Sequence, residues 1–365
     1  MIVLYDESIL TYVASIRKYF GLSSSYEANR KFSALLNERK PEKIFMILID
    51  GMGSNLIKKK LPEDSFLRRN MAFETASVFP PTTTAATTSI QNGKAPNENG
   101  WLGWTQYLKE VDDIIIPFYG SSYYDDIDYG SDIFERCVPV ARTDAELNML
   151  GINATTVFPD FKPNGCKSFD EMCSRLIDYS HHETYEYVYA YWDRYDTYMH
   201  RHGPSSKVCD AYLRYIDAEL ERLAENISEK TMLVIVADHG QIDVKETYNL
   251  CGSKYDKYFS MRPSLEPRAQ TFFIKEGMED EFEKVFKEEF EDRFVLLSRQ
   301  EVLETKLFGD HESGKRFEEF LGDYLAIAKS GTVFTYQKNL SFIMKGQHAG
   351  MCEDELMVPV VVYQK

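Results

Sequence analysis

The sequence predicts an α/β protein: a three-layer α/β/α sandwich with a central, mostly parallel sheet and a small inserted α/β cap. Three observations carry this. Apolar runs at 44–49, 185–192 and 232–237 are continuous rather than alternating, as strands buried on both faces require. Helical periodicity recurs among them, and the amphipathic stretch from Lys207 to Asn226 lies between the last two as a crossover helix. Each run is followed at once by an acidic residue, and ligands of such sheets gather at the carboxyl ends of the strands.

In chain order, the opening MIVLYDESILTYVASIRKYF is broken by Asp6, Glu7, Arg17 and Lys18, so it has neither the apolar core nor the cleavage site of a secretory leader. The run from Ile44 to Ile49 ends in Asp50-Gly51-Met52-Gly53, a tight turn into a helix. Next comes VFPPTTTAATTS. Its two prolines deliver an extended chain, the alanines and Ile90 suit a helix, and Asn92-Gly93 closes it. Thr82, Thr83 and Thr84 therefore stand at a helix N-terminus, where capping explains one hydroxyl but not three.

Residues from about 105 to 170 are rich in aromatics and acids, among them Tyr107, Phe118, Tyr119, Tyr123, Tyr124 and Tyr129, and are expected to stand outside the sheet as a lid. Their rings either pack the segment together, which is the simpler use, or stack a flat leaving group. The second apolar run leads into YWDRYDTYMHRHGP, which carries Asp193, Asp196 and His200, and the third delivers Asp238-His239. The stretch 256–338 contains the strand-like RAQTFFIK, the amphipathic helix EDEFEKVFKEEFEDR, the strand-like FVLLS and then GDYLAIAKSG, which together read as a small α/β cap. After it come Gly346-Gln347-His348-Ala349-Gly350 and a last strand from Leu356 to Tyr363. The expected domains are a metal-binding catalytic core of 1–255 and 339–365, with the lid inserted at about 105–170, and a cap of 256–338.

At 365 residues, 44% hydrophobic and 27% charged, the chain can bury a large core. A formal charge of -16 repels nucleic-acid backbones and anionic bilayers, no Lys/Arg run offsets it, and no run approaches a membrane span. Neither a nucleic-acid polymer nor a membrane is expected as partner; the oligomeric state leaves no mark in the sequence. Cys137, Cys166, Cys173, Cys209, Cys251 and Cys352 form no CxxC pair, which suits reduced thiols and a cytoplasmic protein without disulfides or thiolate-bound zinc.

The residues at the strand ends are carboxylates and imidazoles without thiols, a ligand set that suits Zn²⁺ or Mn²⁺. Singly each is ordinary, since an Asp after a strand caps helices and a lone His sits on surfaces. Together, at one edge, they read as a metal centre. Asp193 and Asp196 compete for one ligand position.

The segments ILIDGMG, FPPTTTAATTSIQNGKAPNENGW, YWDRYDTYMHRHGP, IVADHGQID and KGQHAG resemble, in order and spacing, the alkaline phosphatase superfamily, most closely its nucleotide pyrophosphatase/phosphodiesterase branch. The resemblance implies two divalent metal ions, zinc first and manganese as the alternative, that share a hydroxyl nucleophile. Carried over, Asp196, His200 and His348 hold one ion, Asp196 being preferred to Asp193 for its D-x-x-x-H spacing to His200. Asp50, Asp238 and His239 hold the other together with the nucleophile. Counting back from Gly93 singles out Thr83. The branch also uses an asparagine shortly after that helix for a phosphoryl oxygen, but here Gly100-Trp101-Leu102-Gly103-Trp104 has none, and Asn97 and Asn99 precede it. His202 is expected behind the ligands or at the surface, and His181, His182 and His311 match no motif.

A threonine hydroxyl is a weak nucleophile at neutral pH, and coordination to a divalent cation is what acidifies it. The charges of two such ions are matched by Asp50, Asp196, Asp238 and a Thr83 alkoxide, so an anionic substrate can enter an acidic protein. The expectation is a phosphoryl hydrolase for a small-molecule phosphoester, most of all a phosphodiester or nucleotide pyrophosphate. A phosphomonoesterase or phosphonate hydrolase is the nearest alternative, and a catalytically silent metal-binding or ligand-sensing protein the alternative of another class. A sulfatase is disfavoured because its C/S-x-P-x-R motif is missing.

Overall fold

The computed structural model of the chain describes residues 4–338 and 343–365. Six strands build the central sheet: β1 (Lys43–Ile49), β2 (Met71–Ala76), β3 (Ala154–Val157), β4 (Tyr187–Trp192), β5 (Thr231–Val236) and β6 (Met357–Tyr363), in the spatial order β2-β6-β5-β1-β4-β3. β1 pairs in parallel with β4 and β5, and β4 with β3, while β6 runs antiparallel to both β5 and β2. Every residue of β1, β4 and β5 is buried, which is why these strands read as unbroken apolar runs.

The outer layers are two groups of helices. Ile9–Tyr19, Thr83–Asn92 and Thr143–Met149 neighbour one another on one side, and Ser54–Lys60, Phe169–His181, Arg194–His202 and Lys207–Asn226 do so on the other. The crossover helix forms over the residues its periodicity predicts, Lys207–Asn226. Ser206 caps it by accepting from Cys209 N, and Cys209, Leu213, Ile216, Leu220 and Leu223 line its buried stripe. No helix among the described residues is long and apolar enough to cross a membrane.

The expected lid needs correction. Residues 105–170 do not all stand outside the sheet, because β3 closes one edge of it. ATTV is short, threonine-rich and half-buried, so an edge strand of this kind leaves no apolar run to read. The rest of the segment includes a small antiparallel sheet of Gln106–Leu108, Asp113–Ile116 and Ser121–Ser122. Its aromatics divide in use. Trp101 is buried edge-on against Phe134 at 4.8 Å and donates Nε1–H to Val138 O, so it packs the segment. Phe118 and Tyr119, 38% and 57% exposed, flank Trp104.

The cap contains a four-stranded antiparallel sheet in the order Phe259–Glu266, Ala269–Ile274, Tyr324–Ala328, Phe294–Ser298. The helix Glu279–Phe290 covers it with Phe282, Phe286 and Phe290, which join Phe272, Phe294 and Phe334 in a core of their own. The opposite face, through Leu265, Ala269, Leu325 and Ile327, belongs to the main core, so the cap is seated on the sandwich.

Candidate metal centre

Strand ends and helix starts place the site. Asp50 follows β1, Asp193 and Asp196 follow β4, and Asp238-His239 follows β5, so three neighbouring parallel strands deliver side chains to one edge. Glycines let their loops converge. Gly51 has φ +73°, and a Cβ there would strike Met199 and crowd the Asp196 carboxylate; one on Gly240 would strike the carbonyl of Asp354. His200 lies one turn beyond Asp196 on the helix Arg194–His202, and His348 comes from the loop before β6, with Nδ1 3.2 Å from Pro81 O.

The structure brings all seven candidate residues into one cluster. Two triplets have donor atoms mutually close enough to share a cation: Asp50, Asp238 and His239, and Asp196, His239 and His348. The first is the set carried over by resemblance. In the second His239 takes the place assigned to His200, and the His239 and His348 rings stack with centroids 3.9 Å apart. His200 Nε2 meets Asp196 Oδ2 at 3.1 Å, and its Nδ1 lies 2.8 Å from Gly346 O. Tyr191 donates to Asp50 Oδ2, and Gln241 donates to Asp196 Oδ1. Such outer contacts orient ligand oxygens.

Burial and crowding set the electrostatics. Burial, then the charge of Asp196, pushes the Asp50 carboxyl up, and burial with Asp50 beside it pushes Asp238 well up. Burial alone would lower His239, but Asp238 and Asp50 outweigh it and hold the imidazole up at about 10. His348 is driven well down by burial and by the charge of His239. Asp193 rises to about 6 through burial and the nearness of Asp50. Asp238 Oδ2 is buried and has no hydrogen-bond partner among the described residues. An orphaned carboxylate oxygen within a dry cluster of aspartates and histidines is what a hard or borderline cation satisfies, so the residues fit divalent metal ions.

The three threonines have different environments. Thr82, the residue before the helix Thr83–Asn92, donates Oγ1–H to Glu266 Oε1 at 2.5 Å. Thr83 Oγ1 lies 3.4 Å from Asp50 Oδ2 and 3.2 Å from His239 Nε2. Thr84 Oγ1 is buried without a partner among the described residues. Only the middle hydroxyl of the three faces the cluster. The helix closes at Gly93, φ +71°, as its sequence predicts.

Glu266 escaped the sequence reasoning. It ends the cap strand Phe259–Glu266, accepts from Thr82 and from Trp104 N, and burial pushes its carboxyl up to about 7. Nothing local marks it, because both partners lie more than 150 residues away. Tyr191 had a signal: Tyr187, Tyr189 and Tyr191 alternate along β4 and share a face. Asn97 and Asn99 are tied elsewhere, to His311 O and to Lys94 O. His181 contacts Asn226 O, His202 lies against Tyr198, and His311 stacks on Tyr26.

With this geometry in hand, the family can be compared. The sequence matches the Type I phosphodiesterase / nucleotide pyrophosphatase family over residues 128–351. The chain belongs to that family. It is therefore a hydrolase of the metal-dependent phosphodiesterase/nucleotide pyrophosphatase group, within the alkaline phosphatase superfamily. The matched stretch takes in Asp196, His200, Asp238, His239 and His348 and begins after Asp50 and Thr83. No curated protein matches at a significant level. Among solved structures, murine ectonucleotide pyrophosphatase/phosphodiesterase 5 is similar with TM-score 0.68 at 14% identity, covering 88% of each chain. An inactive threonine-to-alanine variant of the murine protein, in complex with AMP, superposes at TM-score 0.67 and 14% identity over the same shares. Phosphonoacetate hydrolase from Sinorhizobium meliloti 1021, in complex with phosphonoformate, has TM-score 0.65 at 13% identity, covering 89% of this chain and 90% of its own. At such identities the likeness is one of fold.

Proposed function

We propose that this hydrolase cleaves a small-molecule phosphodiester or nucleotide pyrophosphate bond through Thr83. The observation that carries the proposal is the placement of one hydroxyl of three: Thr83 Oγ1 sits at a helix N-terminus beside Asp50 Oδ2 and His239 Nε2. Asp50, Asp238 and His239 with Thr83 would hold one divalent ion, and Asp196 and His348, with His200 which contacts Asp196, the other, zinc in preference to manganese. Bound there, such ions acidify a hydroxyl and neutralise phosphoryl charge. Thr83 Oγ would attack phosphorus as the P–O bond to the leaving alcohol or phosphate breaks, the threonine proton passing to the leaving group. Water would then cleave the phosphothreonine P–O bond, releasing the phosphoryl product and restoring the Thr83 hydroxyl. The free N–H groups of the first helical turn favour the phosphoryl oxygens, and Tyr191 and Gln241 keep Asp50 and Asp196 turned toward the cluster.

Diesters are favoured over monoesters by what surrounds Thr83. The helix Thr83–Asn92 carries no basic residue, and a dianionic group calls for an arginine or a further cation. With protein loaded with zinc, a nitrophenyl nucleotide diester is expected to exceed nitrophenyl phosphate in kcat/KM by about tenfold or more, on the order of 1.4 kcal/mol. An equal or reversed ratio supports the monoesterase or phosphonate alternative; turnover of neither supports a silent binder. A cytoplasmic location, argued from the cysteine usage, completes the proposal and is checked by cell fractionation.

A further inference from the structure

Glu266 is 2% exposed and belongs to the cap, yet it reaches the residue that precedes Thr83. Among the described residues its hydrogen bonds come from Thr82 Oγ1 at 2.5 Å and Trp104 N at 2.7 Å, both to Oε1, and Oε2 accepts none. A hydroxyl and an amide are neutral donors. A glutamine carbonyl would accept both without burying an acid, so tethering alone does not account for a carboxyl here. The imidazoles of His239 and His200 lie near enough to offset part of the upward push of burial on it. Through Thr82 it is one residue removed from Thr83, whose Oγ1 faces Asp50 and His239. The charges of two divalent ions are already matched by Asp50, Asp196, Asp238 and a Thr83 alkoxide. Once ionised, Glu266 adds one more negative charge against Thr82, the residue before the nucleophile.

We propose that Glu266 is a specificity-determining residue whose charge selects a singly charged phosphoryl group, as in a diester, and disfavours a doubly charged one, as in a monoester or inorganic phosphate. The inference rests on the proposal that Thr83 is the site of phosphoryl attack, and it names what sets the preference there. The stretch Gly100-Trp101-Leu102-Gly103-Trp104 after the nucleophile's helix offers no asparagine, and the Trp104 backbone N–H is spent on Glu266. The chain therefore offers a carboxyl against the residue before the nucleophile and spends the Trp104 amide on holding it.

The test separates charge from packing. Zinc-loaded Thr83→Ala protein, with and without Glu266→Gln, is titrated calorimetrically at about pH 8 with inorganic phosphate, a dianion there, and with bis(4-nitrophenyl) phosphate, a monoanion. E266Q keeps the acceptor for Thr82 and Trp104 and is expected to tighten phosphate binding about tenfold or more, while the monoanion changes by less than about threefold. Glu266→Met, which removes charge and acceptor alike at similar volume, is expected to shift phosphate in the same direction. With Thr83 present, E266Q lowers the diester-to-monoester ratio of kcat/KM about tenfold, mainly through a lower KM for the monoester. Unchanged or weaker phosphate binding in both variants, or an equal loss on both esters, overturns the assignment and leaves Glu266 a tether. A wild type that turns over neither ester instead overturns the Thr83 proposal, and the phosphate titration still reads the Glu266 charge.

Discussion

Arg268 and Glu355 form a fully buried two-pronged ion pair, Nε to Oε1 at 2.7 Å and Nη2 to Oε2 at 2.8 Å. Arg268 also donates to Ser330 O and Thr332 O, while Glu355 accepts from Gly350 N and Cys352 N. One pair thus ties the first strands of the cap to the loop that carries His348. Removing either partner leaves a buried charge without its counterion, so Arg268→Ala and Glu355→Ala are each expected to cost about 3–5 kcal/mol in urea unfolding. The double variant should cost less than the two together. Strictly additive losses would mean that the pair is not coupled.

The threonine triplet gives the second prediction. Thr83→Ala should lower turnover on the order of a thousandfold or more while the fold persists. Thr84→Val removes a buried hydroxyl that has no partner, so activity should persist and stability stay level or rise by up to about 1 kcal/mol. Thr82→Ala takes one of two donors from the buried Glu266 carboxyl and should cost about 1–3 kcal/mol of stability with a smaller loss of rate. If Thr82 or Thr84 carries the essential hydroxyl in turnover assays, the assignment to Thr83 is wrong.

The convergence of Asp50, Asp196, Asp238 and His239 was legible because each follows a buried apolar strand, and the end of the helix Thr83–Asn92 was legible from Asn92-Gly93. The grouping of these residues with His200, His348 and Thr83 came from the family resemblance. β1, β4 and β5 were legible for the same reason, both faces being covered. β2 and β3 were not, because an edge strand such as ATTV or MAFETA is covered on fewer sides and carries polar residues. Glu266 was not, because its role depends on contacts across more than 150 residues, and SLEPRA reads locally as a solvated acid. That His239 rather than His200 joins Asp196 and His348 in one close triplet is likewise a matter of three-dimensional distance, which no spacing rule encodes.

Metal binding should be stoichiometric and should expel protons. Elemental analysis of zinc-loaded protein is expected to give about two ions per chain, and His348→Ala should lose one of them preferentially. Without metal, Asp238 and Asp50 keep His239 protonated well above neutrality, so a cation must displace that proton to reach Nε2. Calorimetry near pH 7 in two buffers of different ionisation enthalpy should show net proton release, with affinity rising as pH rises. A binding enthalpy independent of buffer would show that His239 is already neutral.

The last prediction concerns stability and pH at Glu266. Burial raises its folded pKa from 4.5 to about 7, opposed by the Thr82 hydroxyl, the Trp104 amide, and the charges of His239 and His200. Between those values the unfolded chain ionises the carboxyl and the folded protein keeps it protonated, so the folded state holds the extra proton. Its contribution is therefore fully present below about 4.5 and is lost as pH rises through about 7. Across that window the loss is on the order of 3 kcal/mol. Glutamine at this position has no such titration but keeps the acceptor for both donors. Metal-free wild type and E266Q should thus converge or favour the wild type near pH 5, and by about pH 8 the variant should be the more stable by roughly that amount in denaturant titrations. The aspartates and histidines of the metal cluster titrate in both proteins, so the difference between the two curves reports Glu266 together with its coupling to His239 and His200. A gap that stays constant from pH 5 to pH 8 would mean that the Glu266 carboxyl ionises as it does in the unfolded chain, and that burial is not perturbing it.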